Sequence, residues 1–305
     1  QKDFDELLLS EEKPFFNRAL KGRYPPASAI KPAIAMYGIE EGLIDWNFSI
    51  FDEGFFTLPE DGRIYRDWKE GGHGNTNLFK AITQSSNTYF FDLAYRSDIN
   101  QLNKHLLSLG FGDKACIDCF EEDKAFVPEP SWKMNKHNFG WFKGDTVNMG
   151  VGQGYLVSTP VQLAKYAYIM ANKGKFSDLS LKKDLVKSEK SIEFNKFSND
   201  DWFKLHESMI NVIEGNTGTA RRLREKKNYI VAAKTGTAEL VSGDNREQYS
   251  ETRLDDNLRD HALIIAFGPM PNPRYAVSVV VENGESGGSV AGPVAISVLN
   301  SLIQE

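Results

Sequence analysis

The spacing of apolar residues along the chain changes period from its N-terminal to its C-terminal part. Ile30, Ala33, Ile34 and Tyr37 recur at the three- and four-residue spacing of one helix face, so Ser28 to about Glu41 reads as a helix. Pro32 falls in its first turn, where a missing N–H costs little. Further helices are expected at about 77–84, 86–95 and 99–109, the last closed by Gly110. The stretch "STPVQLAKYAYIMANKGK" carries start and stop signals: Thr159 as cap, Pro160 at the first position, a stripe of Leu163, Ala164, Ala167 and Met170, and Gly174 at the end. Helices are also expected at about 199–214, 217–225 and 290–303. In the last third the pattern shifts to β-rich runs bounded by turn residues: "YIVAAKTGTAEL", "HALIIAFGPM" and "RYAVSVVVEN" predict three strands. "PNP" at 271–273 joins the last two as a hairpin, and the polar stretch 241–260 has the length of a flap. Residues 45–76 read as loops with short strands, 111–157 as a long irregular segment, and the Lys- and Ser-rich 175–198 as a surface excursion. With no internal repeat and no clear linker, the expected class is α/β (α+β). It joins an antiparallel sheet with helices on both faces, from about 225 to 305, to an all-helical part at about 40–160.

Composition narrows the function classes. Apolar residues make up 41% of the chain and charged ones 26%, as in a globular protein. The 36 basic and 42 acidic residues give a net charge of −6, which argues against nucleic acid as the main partner. No run approaches the ~18 apolar residues of a membrane span. The first ten residues, "QKDFDELLLS", lack the charged-then-apolar layout of a signal peptide. The two cysteines, Cys116 and Cys119, form a C-x-x-C in a polar loop. A zinc site of that type wants a second pair and a redox motif wants a helix start after a strand, so a surface loop is favoured over redox catalysis, with a small disulfide expected only if the compartment is oxidising.

The chemistry begins at "YPPASAIKPA", residues 24–33. Ser28 and Lys31 lie one helical turn apart among apolar neighbours. A serine hydroxyl needs a base, and a lysine serves only if burial brings its pKa toward neutrality. The bland alternative is a capping serine and a lysine reaching to solvent. Two further elements weigh against it: "SSNTYF" holds S-x-N at Ser85 and Asn87, and "AAKTGTA" holds Lys234, Thr235, Gly236 and Thr237 on a strand. Each motif is weak alone. In the order S-x-x-K, S-x-N, K-T-G they form the set of serine acyl-transfer enzymes that bind β-lactams, and a glycine in the third strand admits close approach of a ligand or backbone.

The chain resembles the transpeptidase domain of class B penicillin-binding proteins, within the branch that serves cell elongation in Gram-negative bacteria. The narrower likeness rests on "YRDWKEGGHG" (65–74), "GDTVNMGVGQGYLVSTPVQLA" (144–164), "NTGTARR" (216–222), "VAAKTGTAEL" (231–240) and "RDHALIIAFGPMPNP" (259–273). It covers roughly residues 15–303 and implies a five-stranded antiparallel sheet flanked by helices. It also implies a membrane anchor and pedestal ahead of the domain, and a first sheet strand ahead of residue 1. The implied setting is the periplasmic face of the bacterial inner membrane. The implied reaction is D,D-transpeptidation of peptidoglycan stem peptides through a serine acyl-enzyme that β-lactams trap. Ser28 is then nucleophile, Lys31 its base and Ser85 a proton relay beside Lys234. Asn87 holds the donor amide, Thr235 and Thr237 the substrate carboxylate, and the Ser28 and Thr237 N–H groups the oxyanion. The likeness further implies a SEDS-family glycan polymerase and an MreC-type scaffold as partners, with no cofactor needed for the chemistry. The family usually carries Gly before the serine; here it is Ala27, tolerable in helical or extended backbone and costly at positive φ. Similar proteins have counterparts of Asp52, Asp67 and His73 near a structural zinc, with a cysteine as fourth ligand where this chain has Ser86. Hydrogen bonds stitching the 52–76 loop are the alternative. His105, His137, His206 and His261 show no catalytic spacing and read as solvated or hydrogen-bonded surface residues.

Rival activities share the fold. A class A β-lactamase would carry E-x-x-L-N, absent here, and a class D enzyme S-x-V in place of S-x-N. A D,D-carboxypeptidase differs only in sending water to the acyl-enzyme. A non-catalytic β-lactam sensor would acylate without turning over.

Overall fold

The computed structural model describes residues 2–10, 12–183, 185, 188–240 and 258–303. The N-terminal helices α1 (Lys2–Leu9) and α2 (Arg18–Lys21) lead to a 3₁₀ turn, Ala27–Ile30, which runs straight into α3 (Lys31–Glu40). All of α3 except Glu40 is buried, Lys31 included. Two small antiparallel ribbons follow, β1 (Ser49–Asp52) with β4 (Gly74–Asn77) and β2 (Phe55–Thr57) with β3 (Ile64–Arg66). Then come α4 (Leu78–Gln84), α5 (Asn87–Arg96) and α6 (Ile99–Ser108), close to their expected bounds.

The segment 111–157, expected to be irregular, contains α7 (Pro130–His137) and α8 (Lys143–Gly150). Their apolar faces are too interrupted by Lys, Asn and Gly to show helical period. Instead Asp145 supplies the start of α8 by accepting the Phe142 N–H, and buried Lys133 pairs with Asp145 across the two helices. α9 (Pro160–Ala171) has the expected start, with Thr159 and Gln162 each accepting the other's backbone N–H. β5 (Lys175–Phe176) and β6 (Lys190–Ser191) make a short ribbon in the excursion, and α10 (Asn199–Glu214) is capped by Ser198.

The main sheet has the order β7 (Ala232–Ala238), β8 (His261–Gly268), β9 (Tyr275–Val281), all antiparallel. Among the described residues it has three strands rather than the five expected. Residues 2–9 are helical, and the extended stretch at Tyr24 pairs by a single bridge with Ser158 instead of joining the sheet. Alternate residues of β7 and β8 face opposite cores, as period-two side chains require. Ala233, Ala262, Ile264 and Ala266 pack with α11 (Gly292–Ile303), whereas Ala232, Leu263, Ile265 and Phe267 join the large cluster containing α3, α5 and α9. Most of the 241–260 stretch, through residue 257, lies outside the described residues. Cys116 and Cys119 form a disulfide.

Candidate active site

Lys31 is fully buried and does not reach solvent. Its Nζ donates to the Ser85 carbonyl at 2.8 Å and to Asn87 Oδ1 at 2.7 Å, and lies 3.3 Å from Ser85 Oγ. Lys234, also fully buried, donates to the same Ser85 Oγ at 2.7 Å. One hydroxyl therefore sits between two buried amines. Burial pushes Lys31 down to about 7, with the carboxylates of Asp67 and Asp52 pulling the other way. Lys234 falls well below its ordinary value through burial and then through the charge of Lys31. The two cannot both hold a proton in this space at low cost.

Ser28 opens onto the surface while its neighbours Ala27 and Ala29 are sealed. Among the described residues its hydroxyl bonds to neither lysine. The Lys31 amine is held on three sides, by the Ser85 carbonyl, the Ser85 hydroxyl and Asn87.

β7 forms the wall opposite. Among the described residues it is an edge strand, and its Gly236 lies against the turn that carries Ser28: a Cβ there would stand 3.2 Å from Ala29 N and 3.3 Å from Pro26 O. The Thr237 carbonyl accepts from Gln153 Nε2 at 3.2 Å, so it faces away from β8. N–H and C=O of one antiparallel residue share a side, which aims the Thr237 N–H into the cleft. Thr235 Oγ1 hydrogen-bonds Thr219 Oγ1 at 2.7 Å, and Thr237 Oγ1 donates to the Glu285 carbonyl at 3.2 Å. The seven residues of the three motifs and Thr237 thus come together, with Lys31 and Lys234 buried beneath the rest. Gln153 and Thr219 join them without having been singled out. Both lie in quoted stretches, but neither has a spacing that marks chemistry.

Two positions near the lysines have left-handed backbone. Ala27 has φ 48°, the costly case for a residue with a Cβ, at roughly 1–2 kcal/mol. Its N–H bonds the Gly152 carbonyl at 2.9 Å, and a Cβ on Gly152 would stand 2.3 Å from the Ala27 carbonyl. Ser85, at φ 60° and ψ 38°, ends α4.

Asp52, Asp67 and His73 do converge, with ligand-type atoms within 4.8 Å of one another. Their hydrogen bonds already account for them. Asp67 accepts the N–H groups of Asn87 (2.6 Å), Thr88 (2.9 Å) and Lys69 (3.1 Å). Burial opposes its charge, but the His73 bond, the Lys31 charge and these N–H groups hold it well below the usual carboxylate range. Ser86 Oγ donates to Asp52 at 2.7 Å and accepts the Tyr89 N–H at 3.2 Å, so it is committed as a helix cap. A neutral capping hydroxyl is no substitute for a thiolate, and the set does not fit a four-ligand structural zinc. The cluster instead anchors the start of α5, and through it Asn87. His105 and His206 depart from the surface expectation: His105 faces the Ala33 carbonyl at 2.9 Å, and buried His206 faces that of Met170 at 2.8 Å. Desolvation pushes His105 down to about 4.

The family model described as the penicillin-binding protein transpeptidase domain matches residues 1–300. The peptidoglycan D,D-transpeptidase MrdA of Acinetobacter baumannii is 40% identical over 299 residues, covering 95% of this chain and 44% of that protein. MrdA of Escherichia coli K12 is 34% identical over 310 residues, covering 99% and 49%. The crystal structure of Pseudomonas aeruginosa PBP2 in complex with WCK 5153 superposes with a TM-score of 0.88 at 35% identity, covering 100% of this chain and 66% of that one. Helicobacter pylori PBP2, solved in complex with MreC, gives 0.85 at 30% identity, covering 99% and 54%. The chain spans about half the length of the curated relatives it matches.

Proposed function

The chain belongs to the penicillin-binding protein transpeptidase domain family, and from that premise we propose that it is a single serine D,D-transpeptidase domain that cross-links peptidoglycan and is acylated by β-lactams. The observation that carries the reading is the Ser85 hydroxyl held between the buried Lys31 and Lys234 amines, with Lys31 one turn along the chain from a partly exposed Ser28. Neutral Lys31 takes the Ser28 proton as Oγ bonds to the carbonyl carbon of the penultimate D-alanine. The Ser28 and Thr237 N–H groups receive the oxyanion. As the peptide C–N bond breaks, the proton passes from Lys31 through the Ser85 hydroxyl to the leaving D-alanine amine. The amine of a second stem peptide then attacks the acyl carbon, gives up its proton by the reverse path, and frees Ser28. Asn87 and the Thr235 and Thr237 side chains orient the donor peptide, Lys234 keeps the relay hydroxyl in line, and no cofactor enters the acyl chemistry.

The same reading supplies a setting at the periplasmic face of an inner membrane, with an anchor elsewhere in the full protein. No helix among the described residues is long and apolar enough to cross a membrane itself. A SEDS-family polymerase and an MreC-type scaffold are the partners proposed, supported by the relative solved with MreC. Intact-protein mass spectrometry after incubation with a penicillin tests the reaction. A single long-lived adduct on wild type and none on Ser28→Ala is expected. No adduct on wild type, or an adduct that clears in seconds, would overturn it.

A further inference from the structure

We propose that Trp68 is a positioning residue for the acylation step, acting through the backbone of Ser85; this rests on the reading of Ser28 and Lys31 given above. Trp68 is 58% exposed, yet its indole N–H is turned inward and donates to the Ser85 carbonyl at 3.1 Å. That carbonyl is the one Lys31 Nζ bonds at 2.8 Å. Both lone pairs of a single oxygen are thus committed, one to the base and one to the indole.

The arrangement matters because of the backbone it fixes. Ser85 has left-handed φ and ψ, a conformation that a residue with a Cβ leaves readily unless it is held. In that conformation its carbonyl points at Lys31 and its hydroxyl lies between the two amines. A swing to an ordinary φ would withdraw both groups together. On the N-terminal side the turn is held by the last carbonyls of α4, with Ser85 N–H bonded to Ile82 and Ser86 N–H to Ala81. On the C-terminal side Asp67 Oδ2 takes the N–H groups of Asn87 and Thr88. Trp68, the next residue after Asp67, holds the middle. The dipeptide Asp67–Trp68 therefore grips the S-x-N turn from both faces, and the exposed indole ring packs beside His73, 5.5 Å between ring centroids.

The N–H and the ring have separable effects. The N–H acts on the reacting groups and so on the limiting acylation rate. The exposed ring, held beside Ser85, acts on noncovalent binding. Trp68→Phe keeps an aromatic ring and removes the N–H; Trp68→Ala removes both. Penicillin acylation is followed by stopped flow on the whole chain, separating the limiting rate from the noncovalent dissociation constant, with Tm recorded for each variant. Trp68→Phe is expected to lower the limiting rate ~10- to 100-fold, the scale of a misplaced catalytic group, while the dissociation constant stays within about twofold and Tm is nearly unchanged. Trp68→Ala is expected to lose the same rate and to bind more weakly as well. A Trp68→Phe protein that acylates at the wild-type rate overturns the inference. So does one whose rate, binding and Tm fall together, which is the mark of general loosening. Failure of wild type to acylate would remove the reaction itself, and the inference with it; that result is distinct from a wild-type adduct that Trp68→Phe forms just as fast.

Discussion

Ala27→Gly is a substitution whose outcome turns on the backbone conformation at one residue. Ala27 is fully buried and left-handed, at φ 48°. Replacing it with glycine relieves the left-handed strain, roughly 1–2 kcal/mol. Against this stand the lost burial of one methyl, about 0.8 kcal/mol, and the extra freedom glycine gives the unfolded chain, about 0.4–1 kcal/mol. The terms cancel to within about 1 kcal/mol, so Tm should move by no more than ~2 °C in a chain of this size. At an ordinary φ the first term vanishes and the same change costs about 1–2 kcal/mol. Guanidinium denaturation of wild type and variant measures the difference directly. Ala27→Val, which adds a β-branch to a left-handed, closely packed position, should be worse than Ala27→Gly by ~1–3 kcal/mol. A loss above ~1.5 kcal/mol in Ala27→Gly, or a harmless Ala27→Val, would refute the strain argument.

Other consequences can be checked on the same material. Lys31 falls from an ordinary 10.5 to about 7, so the acylation rate should rise with pH through about 7 and be lost below it; a flat profile between pH 5 and 9 would contradict a lysine base. The sign for stability follows from proton uptake: unfolded Lys31 keeps its proton up to its ordinary value, so this residue makes the fold more stable as pH rises from about 7 toward 10.5. The Asp52, Asp67 and His73 cluster should leave purified protein well short of one zinc per chain, with Tm indifferent to EDTA, whereas Ser86→Cys should acquire zinc; metal analysis of both decides. Tyr166 donates no bond to Ala33 but accepts its N–H at 3.0 Å, at the buried start of α3. Tyr166→Phe should therefore cost about 1–3 kcal/mol by orphaning that donor, and a neutral result in denaturation would mean the N–H finds another partner.

What the sequence made legible and what it hid divide along a physical line. The three motifs name side chains, and side-chain chemistry is written in residue type: a serine and a lysine one turn apart, a second serine, a lysine on a strand. Helices α9 and α10 were equally open to reading because their caps, Thr159 and Ser198, act over three residues of local chain. The conformations at Ala27 and Ser85 were not, because neither residue type asks for positive φ. Each is imposed from a distance, Ala27 by the Gly152 backbone and Ser85 by Asp67, Trp68 and Lys31. Helices α7 and α8 escaped for a related reason. Their stability comes from a buried Lys133–Asp145 pair and aromatic neighbours such as Phe142, 4.5 Å from the Lys133 amine, and not from a periodic apolar face.

On the proposed reading, the two left-handed residues also bear on how a buried lysine serves as base. Lys31 sits in a helix that would ordinarily aim its amine at whatever acceptor is nearest. Ala27 begins the 3₁₀ turn that carries Ser28 into that helix, and Ser85 turns a carbonyl and a hydroxyl toward the amine from the other side. With Asn87 as a second strong acceptor and the Ser85 hydroxyl 3.3 Å away, the amine is held from three sides. On the proposed reading, strain at Ser85 aims one proton transfer, while strain at Ala27 fits the Ser28 turn against Gly152. Relaxing Ala27 to glycine should spare stability, whereas releasing Ser85 through Trp68 should spare stability and cost rate. That contrast separates strain that merely fits the chain together from strain that aims the chemistry.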